Sequence, residues 1–153
     1  MSIMSRLADL GIVLPAVTPP VASYVPVVIE GNLIFVSGQL PVRDGSMIKG
    51  HLGRDVTLEE GQRAAQLCAL NILAQVSAAL DGQLDRVARC VKLGGFVACT
   101  PDFTDHPKVI NGASDLMLQV MGDAGKHARA AVGVPSLPLG AAVEVEAVFA
   151  LRD

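Results

Sequence analysis

The stretch KHARAAVGVPSLPLGAAVEVEAVFA, residues 126–150, decides the fold because both of its halves alternate with the two-residue period of a β-strand. The first half divides into a purely apolar face and a face that carries one arginine. The apolar face comprises Ala130, Val132 and Val134, and the other comprises Arg129, Ala131 and Gly133. In the second half, Glu144 and Glu146 share one face. The sequence therefore predicts two strands with charged side chains, joined by the loop PSLPLG.

The composition predicts one domain. Of the 153 residues, 51% are hydrophobic and 18% are charged, which supplies one buried core and no surplus for a second. We expect a single domain over residues 1–153. The sequence has no uninterrupted apolar run of the roughly 18 residues that a membrane helix needs, and Arg6 and Asp9 interrupt the first segment. We therefore expect no signal peptide, no membrane partner and a cytoplasmic location.

The charge and the cysteines narrow the functional class. The formal net charge is −3, and one Tyr with no Trp leaves little to stack on bases or to neutralise phosphates. We expect no nucleic-acid partner. The cysteines Cys68, Cys90 and Cys99 are odd in number and lack CxxC spacing. We interpret them as small buried hydrophobic side chains, and we expect no metal site.

Two further strand regions precede the last pair. Residues 25–42, VPVVIEGNLIFVSGQLPV, form two β-rich runs around Gly31-Asn32, a dipeptide that suits a two-residue hairpin loop. Residues 87–99, VARCVKLGGFVAC, predict another strand. Its two central glycines indicate a close approach by another backbone or by a ligand.

Two helices are predicted between these strands. Thr57 and Glu60 form a capping box, which begins a helix that Asp81-Gly82 ends. A second helix is predicted at about residues 106–121, with Pro107 in its first turn. The order β-β-α-β-α-β-β predicts an α+β fold, a mixed β-sheet with both helices packed on one face. The other face of the sheet is apolar and must be buried away from water, and contact with further subunits is the simplest way to bury it.

Four landmarks carry a resemblance to a known family. They are the pair Tyr24-Val25, SGQLP at residues 37–41, HARAAVGVPSLP at 127–138 and VEVEAV at 143–148. Over most of residues 20–150 the chain resembles the reactive-intermediate deaminase family, also called YjgF-like or L-PSP proteins. The resemblance implies a homotrimer of the bacterial chorismate-mutase-like fold with clefts between subunits. It also implies hydrolysis of enamines and imines such as 2-aminoacrylate and 2-iminopropionate to 2-keto acids and ammonia, without a cofactor.

The resemblance assigns three catalytic positions. The family's carboxylate-binding arginine falls on Arg129, since a guanidinium grips a carboxylate with two parallel hydrogen bonds. The acidic residue that positions the attacking water falls on Glu146, and the N-terminal tyrosine that caps the cleft falls on Tyr24. From the residues alone, Arg129 paired with a neighbouring glutamate and Tyr24 packed at an interface stay open as alternatives.

The resemblance also implies a set of substrate-binding residues. Ser37 and Gly38 match the start of the family's SGQ turn, and Asn111 matches an asparagine on the second helix. Ala131 stands where many relatives have a cysteine, and it still offers the backbone N–H credited with ligand binding. His127 stands where relatives have a proline, so a titratable ring lies beside the site.

Other functions remain as alternatives. One is a non-catalytic or chaperone-like trimer that binds small carboxylates, and the presence of Glu146 favours the enzyme over it. Another is an endoribonuclease, which the acidic charge balance disfavours. The segment TPDFTDHPK, residues 100–108, is about two residues longer than in the relatives, which leaves the size of the substrate open.

Overall fold

A computed structural model describes residues 1–17 and 23–153, in which the predicted succession of strands and helices is present. A short N-terminal helix and a small hairpin add to it. In chain order the elements are α1 (Ile3–Asp9), β1 (Val27–Glu30), β2 (Leu33–Gln39), β3 (Val42–Arg43), β4 (Ser46–Met47), α2 (Leu58–Ala79), β5 (Val87–Ala98), α3 (His106–Met121), β6 (Ala128–Val134) and β7 (Val143–Leu151).

The main sheet has five strands in the order β1-β2-β7-β5-β6. β5 and β6 run parallel, and the other neighbouring strands run antiparallel. Helices α2 and α3 pack on one face, where Ile72, Ile110 and Phe149 are fully buried in a common core. The predicted mixed sheet with both helices on one face is confirmed. No helix in the described residues is long and apolar enough to cross a membrane.

Local sequence signals set the helix ends as predicted. The Glu60 N–H donates to Thr57 Oγ1 at 3.1 Å, and the Thr57 N–H donates to Glu60 Oε1 at 3.2 Å, which completes the capping box of α2. After α2, Asp81 and Gly82 have φ of 53° and 81°, and Gly122 has φ of 62° after α3. These left-handed conformations stop both helices where the sequence predicts.

The paired glycines of β5 make room for the chain's own side chains. A Cβ on Gly95 would lie 2.5 Å from Cγ1 of Ile110, so its absence lets α3 pack against the sheet. A Cβ on Gly94 would lie 2.9 Å from Cγ of Glu146 on the opposite face. The close approach to these glycines is therefore made by side chains on both faces of the strand, and not by the backbone or ligand that the sequence predicts.

Helix α1 was not predicted, because it is only seven residues long and buries just two of them. Ser2 caps it by accepting a hydrogen bond from the Ser5 N–H at 3.1 Å. Ile3 and Leu7 enter the core, and the Met4 N–H donates to Asp85 Oδ1 at 3.1 Å. These tertiary contacts hold α1 in place, since so short a helix is marginal by itself.

The sheet face opposite the helices is open within the described part of the chain. Val28, Phe35 and Val132 lie on it with 43–49% of their surface exposed. Glu144 and Glu146 also lie there, as their alternation along β7 predicts. Burial of Glu144 raises the pKa of its carboxyl, and the nearby charge of Glu146 raises it further.

We expect Glu144→Gln to stabilise the protein increasingly as the pH rises. A raised pKa means that the neutral carboxyl is the form the fold prefers. The stability contributed by Glu144 is thus full below the ordinary pKa of a glutamate and is lost as the pH rises through the raised value. The gain in melting temperature should be larger at about pH 7 than at about pH 4.

Glu30→Gln, at an exposed site on β1, gives the matched loss of charge. An equal shift of melting temperature at both pH values for Glu144→Gln, or the same pH profile for Glu30→Gln, would contradict this account of the open face.

Candidate functional site

Arg129 lies on the edge strand β6, where it pairs with Leu93 of β5, and its side chain reaches helix α3. Its Nη1 donates to Asn111 Oδ1 at 2.8 Å and to Ser114 Oγ at 3.1 Å. The predicted strand position is confirmed, and the structure brings Arg129 and Asn111 together.

A glutamate partner for Arg129 is not found. The ion pairs within residues 1–17 and 23–153 join Arg54 to Asp55, Lys108 to Asp105 and Lys126 to Asp123. The alternative of a structural arginine neutralised by a glutamate is therefore wrong for the described part of this chain. Arg129 is held by neutral acceptors instead.

A partly buried chain of hydrogen bonds orients Arg129. Ser114 is 8% exposed, and its Oγ lies 2.8 Å from His127 Nε2. His127 Nδ1 lies 2.6 Å from the carbonyl oxygen of Gly125. Because a carbonyl only accepts, Nδ1 bears a proton, and in this Nδ1–H tautomer Nε2 accepts from the Ser114 hydroxyl. The Ser114 oxygen is then oriented to accept from Arg129.

The sequence interpretation missed Ser114. Its only signal is its place one helical turn after Asn111, on the same side of α3. His127 was noted as a titratable neighbour, and the structure gives it a contact to Ser114 instead of a direct contact to the arginine.

Part of the Arg129 guanidinium stays available. Its Nη1 has two hydrogens, and Asn111 and Ser114 accept both. Nε and Nη2 donate to no group in the described residues. These two nitrogens present parallel N–H bonds, which is the arrangement that binds both oxygens of a carboxylate. Ala131, two residues further along the same face of β6, packs its methyl group against the core.

A second group of predicted residues lies near β1 and β2, at the edge of the sheet opposite to β6. The Ser37 hydroxyl donates to the carbonyl of Val25 at 2.9 Å, so the turn is tied to the segment before β1. Tyr24 is 59% exposed and lines a cavity of about 590 Å³ together with Gly38. Asn71 of α2, which the sequence interpretation missed, donates to the carbonyls of Leu40 and Val42 at 2.9 and 3.0 Å and shapes the floor of this cavity.

Glu144 belongs to this second group by geometry, and Glu146 lies two residues further along the same face of β7. A Cβ on Gly38 would collide with the carboxylate of Glu144, so the glycine gives Glu144 its place. Glu146 is exposed and lies across from Gly94, on the face opposite to Arg129. Within one chain the structure does not bring Glu146 and Arg129 together.

Within one chain, Arg129 and the turn at Ser37 and Gly38 are too far apart to touch one small molecule. β2 carries Ser37 and Gly38, and β7 and β5 separate it from β6, which carries Arg129. Three spacings between neighbouring strands amount to about 14 Å. Among the residues described here, no three His, Cys, Asp or Glu side chains are arranged to hold a metal ion.

Comparisons with known proteins identify the family. The family model described as "YjgF/chorismate_mutase-like, putative endoribonuclease" matches residues 4–151. Protein TCP17 of Trypanosoma cruzi is 51% identical over 99% of this chain and 95% of its own length.

Solved structures agree with this result. A protein of unknown function from Agrobacterium tumefaciens is 51% identical with a TM-score of 0.89, covering 99% of this chain and 94% of its own. Escherichia coli TdcF with bound serine is 27% identical with a TM-score of 0.62, covering 91% of this chain and 93% of its own. The protein thus belongs to the YjgF/chorismate-mutase-like family.

Proposed function

We propose that this protein hydrolyses enamines and imines that bear a carboxylate, of the 2-aminoacrylate and 2-iminopropionate type, to 2-keto acids and ammonia. The observation that carries the proposal is Arg129, whose Nη1 is fixed by Asn111 and Ser114 while Nε and Nη2 remain open. The serine bound to TdcF is a small carboxylate with nitrogen on the neighbouring carbon, like the proposed substrates.

The proposed reaction needs positioning and proton transfer. Protonation of an enamine at carbon gives an iminium ion, water adds to the C=N carbon, and ammonia leaves. Arg129 binds the substrate carboxylate side-on through Nε and Nη2, and Asn111 orients the guanidinium without needing to touch the substrate. Ala131 contributes its backbone beside the bound ligand. Fixing the reacting groups in this way supplies much of the rate enhancement.

The remaining roles fall to the second group. Glu146 holds the attacking water and accepts its proton, as a carboxylate base does. Tyr24 covers the ligand with its exposed ring, and the turn at Ser37 and Gly38 lets the ligand approach the backbone. Because Gly38 lies under the Glu144 carboxylate, Glu144 fixes the shape of this turn.

The proposal requires a second copy of the chain. Since about 14 Å separates the strands that bear Arg129 and the Ser37-Gly38 turn of one chain, the complete cleft forms where Arg129 of one subunit meets Tyr24 and Glu146 of another. The open face of the sheet offers Val28, Phe35 and Val132 for such contacts. We propose a homotrimer, which the family resemblance implies.

We expect light scattering to give three times the 15.9 kDa mass of one chain. Phe35→Glu places a charge in the middle of the proposed interface, so it should dissociate the assembly and abolish activity. Leu118→Glu, which alters an exposed apolar side chain of α3 away from that face, is the control. A mass near that of one chain for the unaltered protein would refute the assembly.

Substitution of Arg129 tests the catalytic proposal. Arg129→Lys retains the charge but loses the planar pair of donors. Loss of one sheltered, charge-assisted hydrogen bond of about 1.5–3 kcal/mol lowers the catalytic efficiency roughly 10- to 150-fold. Arg129→Ala should lose more. The assay couples a serine/threonine dehydratase, which releases 2-aminoacrylate, to detection of the keto acid.

Arg63→Lys, at an exposed position on α2, is the matched control and should leave the catalytic efficiency unchanged. Melting temperature and mass are measured on the same preparations, because a purely structural arginine would alter these and spare the rate per folded assembly. A stable Arg129→Ala protein with unaltered turnover would remove Arg129 from the mechanism. RNA cleavage that Arg129→Ala abolishes would instead favour the endoribonuclease alternative.

A further inference from the structure

A separate cleft of about 580 Å³ opens where β5 and β6 end. Gly133 lines it, four residues beyond Arg129 on the same face of β6 and therefore about 13 Å along the strand. His51 and Arg54 line one side, and the segment from Cys99 to His106 lines the other. None of these residues takes part in the proposed imine hydrolysis.

The cleft contains a thiol beside an imidazole. Cys99 Sγ lies 3.5 Å from His106 Nε2, and both side chains are only half-buried. A Cβ on Gly133 would lie 2.6 Å from Cys99 Sγ, so the glycine makes room for the pair. The His106 ring packs edge-on against Phe103, with 5.6 Å between ring centroids, which fixes the orientation of the imidazole.

Cys99 differs from the other cysteines of the chain. Cys68 and Cys90 are fully buried, as the sequence predicts, whereas the expectation of a buried Cys99 is wrong. Burial still raises the pKa of the Cys99 thiol, so the resting sulfur carries its proton. A reaction at sulfur therefore needs His106 to accept the thiol proton, as a general base does.

An arginine is held at the same cleft. His51 Nε2 donates to the carbonyl oxygen of Pro135 at 2.7 Å, so Nδ1 of the neutral ring accepts from Arg54 Nη2 at 2.8 Å. The carboxylate of Asp55 lies 3.7 Å from Arg54 Nε and also accepts from the His51 N–H. Nη1 of Arg54 donates to no acceptor in the part of the chain described, and it remains available for an anion.

We propose that this cleft is a second, nucleophilic site for small carboxylate-bearing electrophiles, in which Cys99 is the nucleophile, His106 is the base and Arg54 binds the carboxylate. With an α,β-unsaturated carboxylate, the sulfur forms a bond to the β-carbon while the C=C bond opens. His106 takes the thiol proton and delivers it to the α-carbon. The product is a thioether, and the step needs no oxidant or reductant.

Iodoacetate and iodoacetamide test this proposal, because they carry the same leaving group and differ in charge. In both reactions an S–C bond forms, iodide leaves and the thiol proton passes to His106. Peptide mass spectrometry after limited alkylation of the folded protein should find Cys99 modified and Cys68 and Cys90 intact. Relative to glutathione under the same conditions, Cys99 should favour iodoacetate over iodoacetamide several-fold, since a positive side chain attracts the anionic reagent.

Two variants separate the roles. His106→Asn should lower the rate of Cys99 alkylation by both reagents about 100-fold, which is the low end of the effect expected for loss of a general base. Arg54→Gln should lower the rate of alkylation by iodoacetate alone. Arg63→Gln, at an exposed site on α2, should change neither alkylation rate.

Three results would overturn the proposal. They are a Cys99 no more reactive than Cys68, equal rates for His106→Asn and the unaltered protein, or a preference for iodoacetate that survives Arg54→Gln. The comparison of Cys99 with Cys68 needs only the unaltered protein, so it tests the proposal even if a variant fails to fold. None of these measurements depends on imine hydrolysis, so either proposal can be refuted without affecting the other.

Discussion

The packing of Ile110 over Gly95 determines where the side chains of both candidate sites lie. It brings α3 directly against β5 at a place where any Cβ would force the helix outward. Asn111 and Ser114 then reach Arg129 on the neighbouring strand, and His106 at the start of the same helix reaches Cys99. A single missing methyl group thus aligns two sets of hydrogen bonds along one helix.

The same sheet keeps the two groups of candidate residues apart within one chain. β7 and β5 lie between the strand that bears Ser37 and Gly38 and the strand that bears Arg129, and the glutamates of β7 face away from the helices. Such an arrangement gives each chain an arginine side and a carboxylate side. Assembly by rotation is suited to this, because each copy offers a different surface to each of its neighbours.

Signals that act between near neighbours in sequence predicted the fold well. The Thr57 capping box, the Gly31-Asn32 hairpin and the alternation around Arg129 all depend on residues within a few positions of one another. Ser114 and Asn71 were missed because their partners are distant in sequence or are backbone carbonyls, which leave no pattern. The family resemblance indicated Asn111, which periodicity alone would have left as an ordinary helix-surface residue.

The hydrogen-bond chain from Arg129 through Ser114 and His127 to Gly125 has an electrostatic consequence. The groups that accept from Arg129 are an amide oxygen and a hydroxyl oxygen, so the guanidinium is oriented by neutral acceptors and its charge is not neutralised by an internal counterion. Arg129 thereby keeps a full positive charge in a protein whose formal net charge is −3. Such a charge attracts small anions to this strand, separately from the attraction that Arg54 exerts at the other cleft.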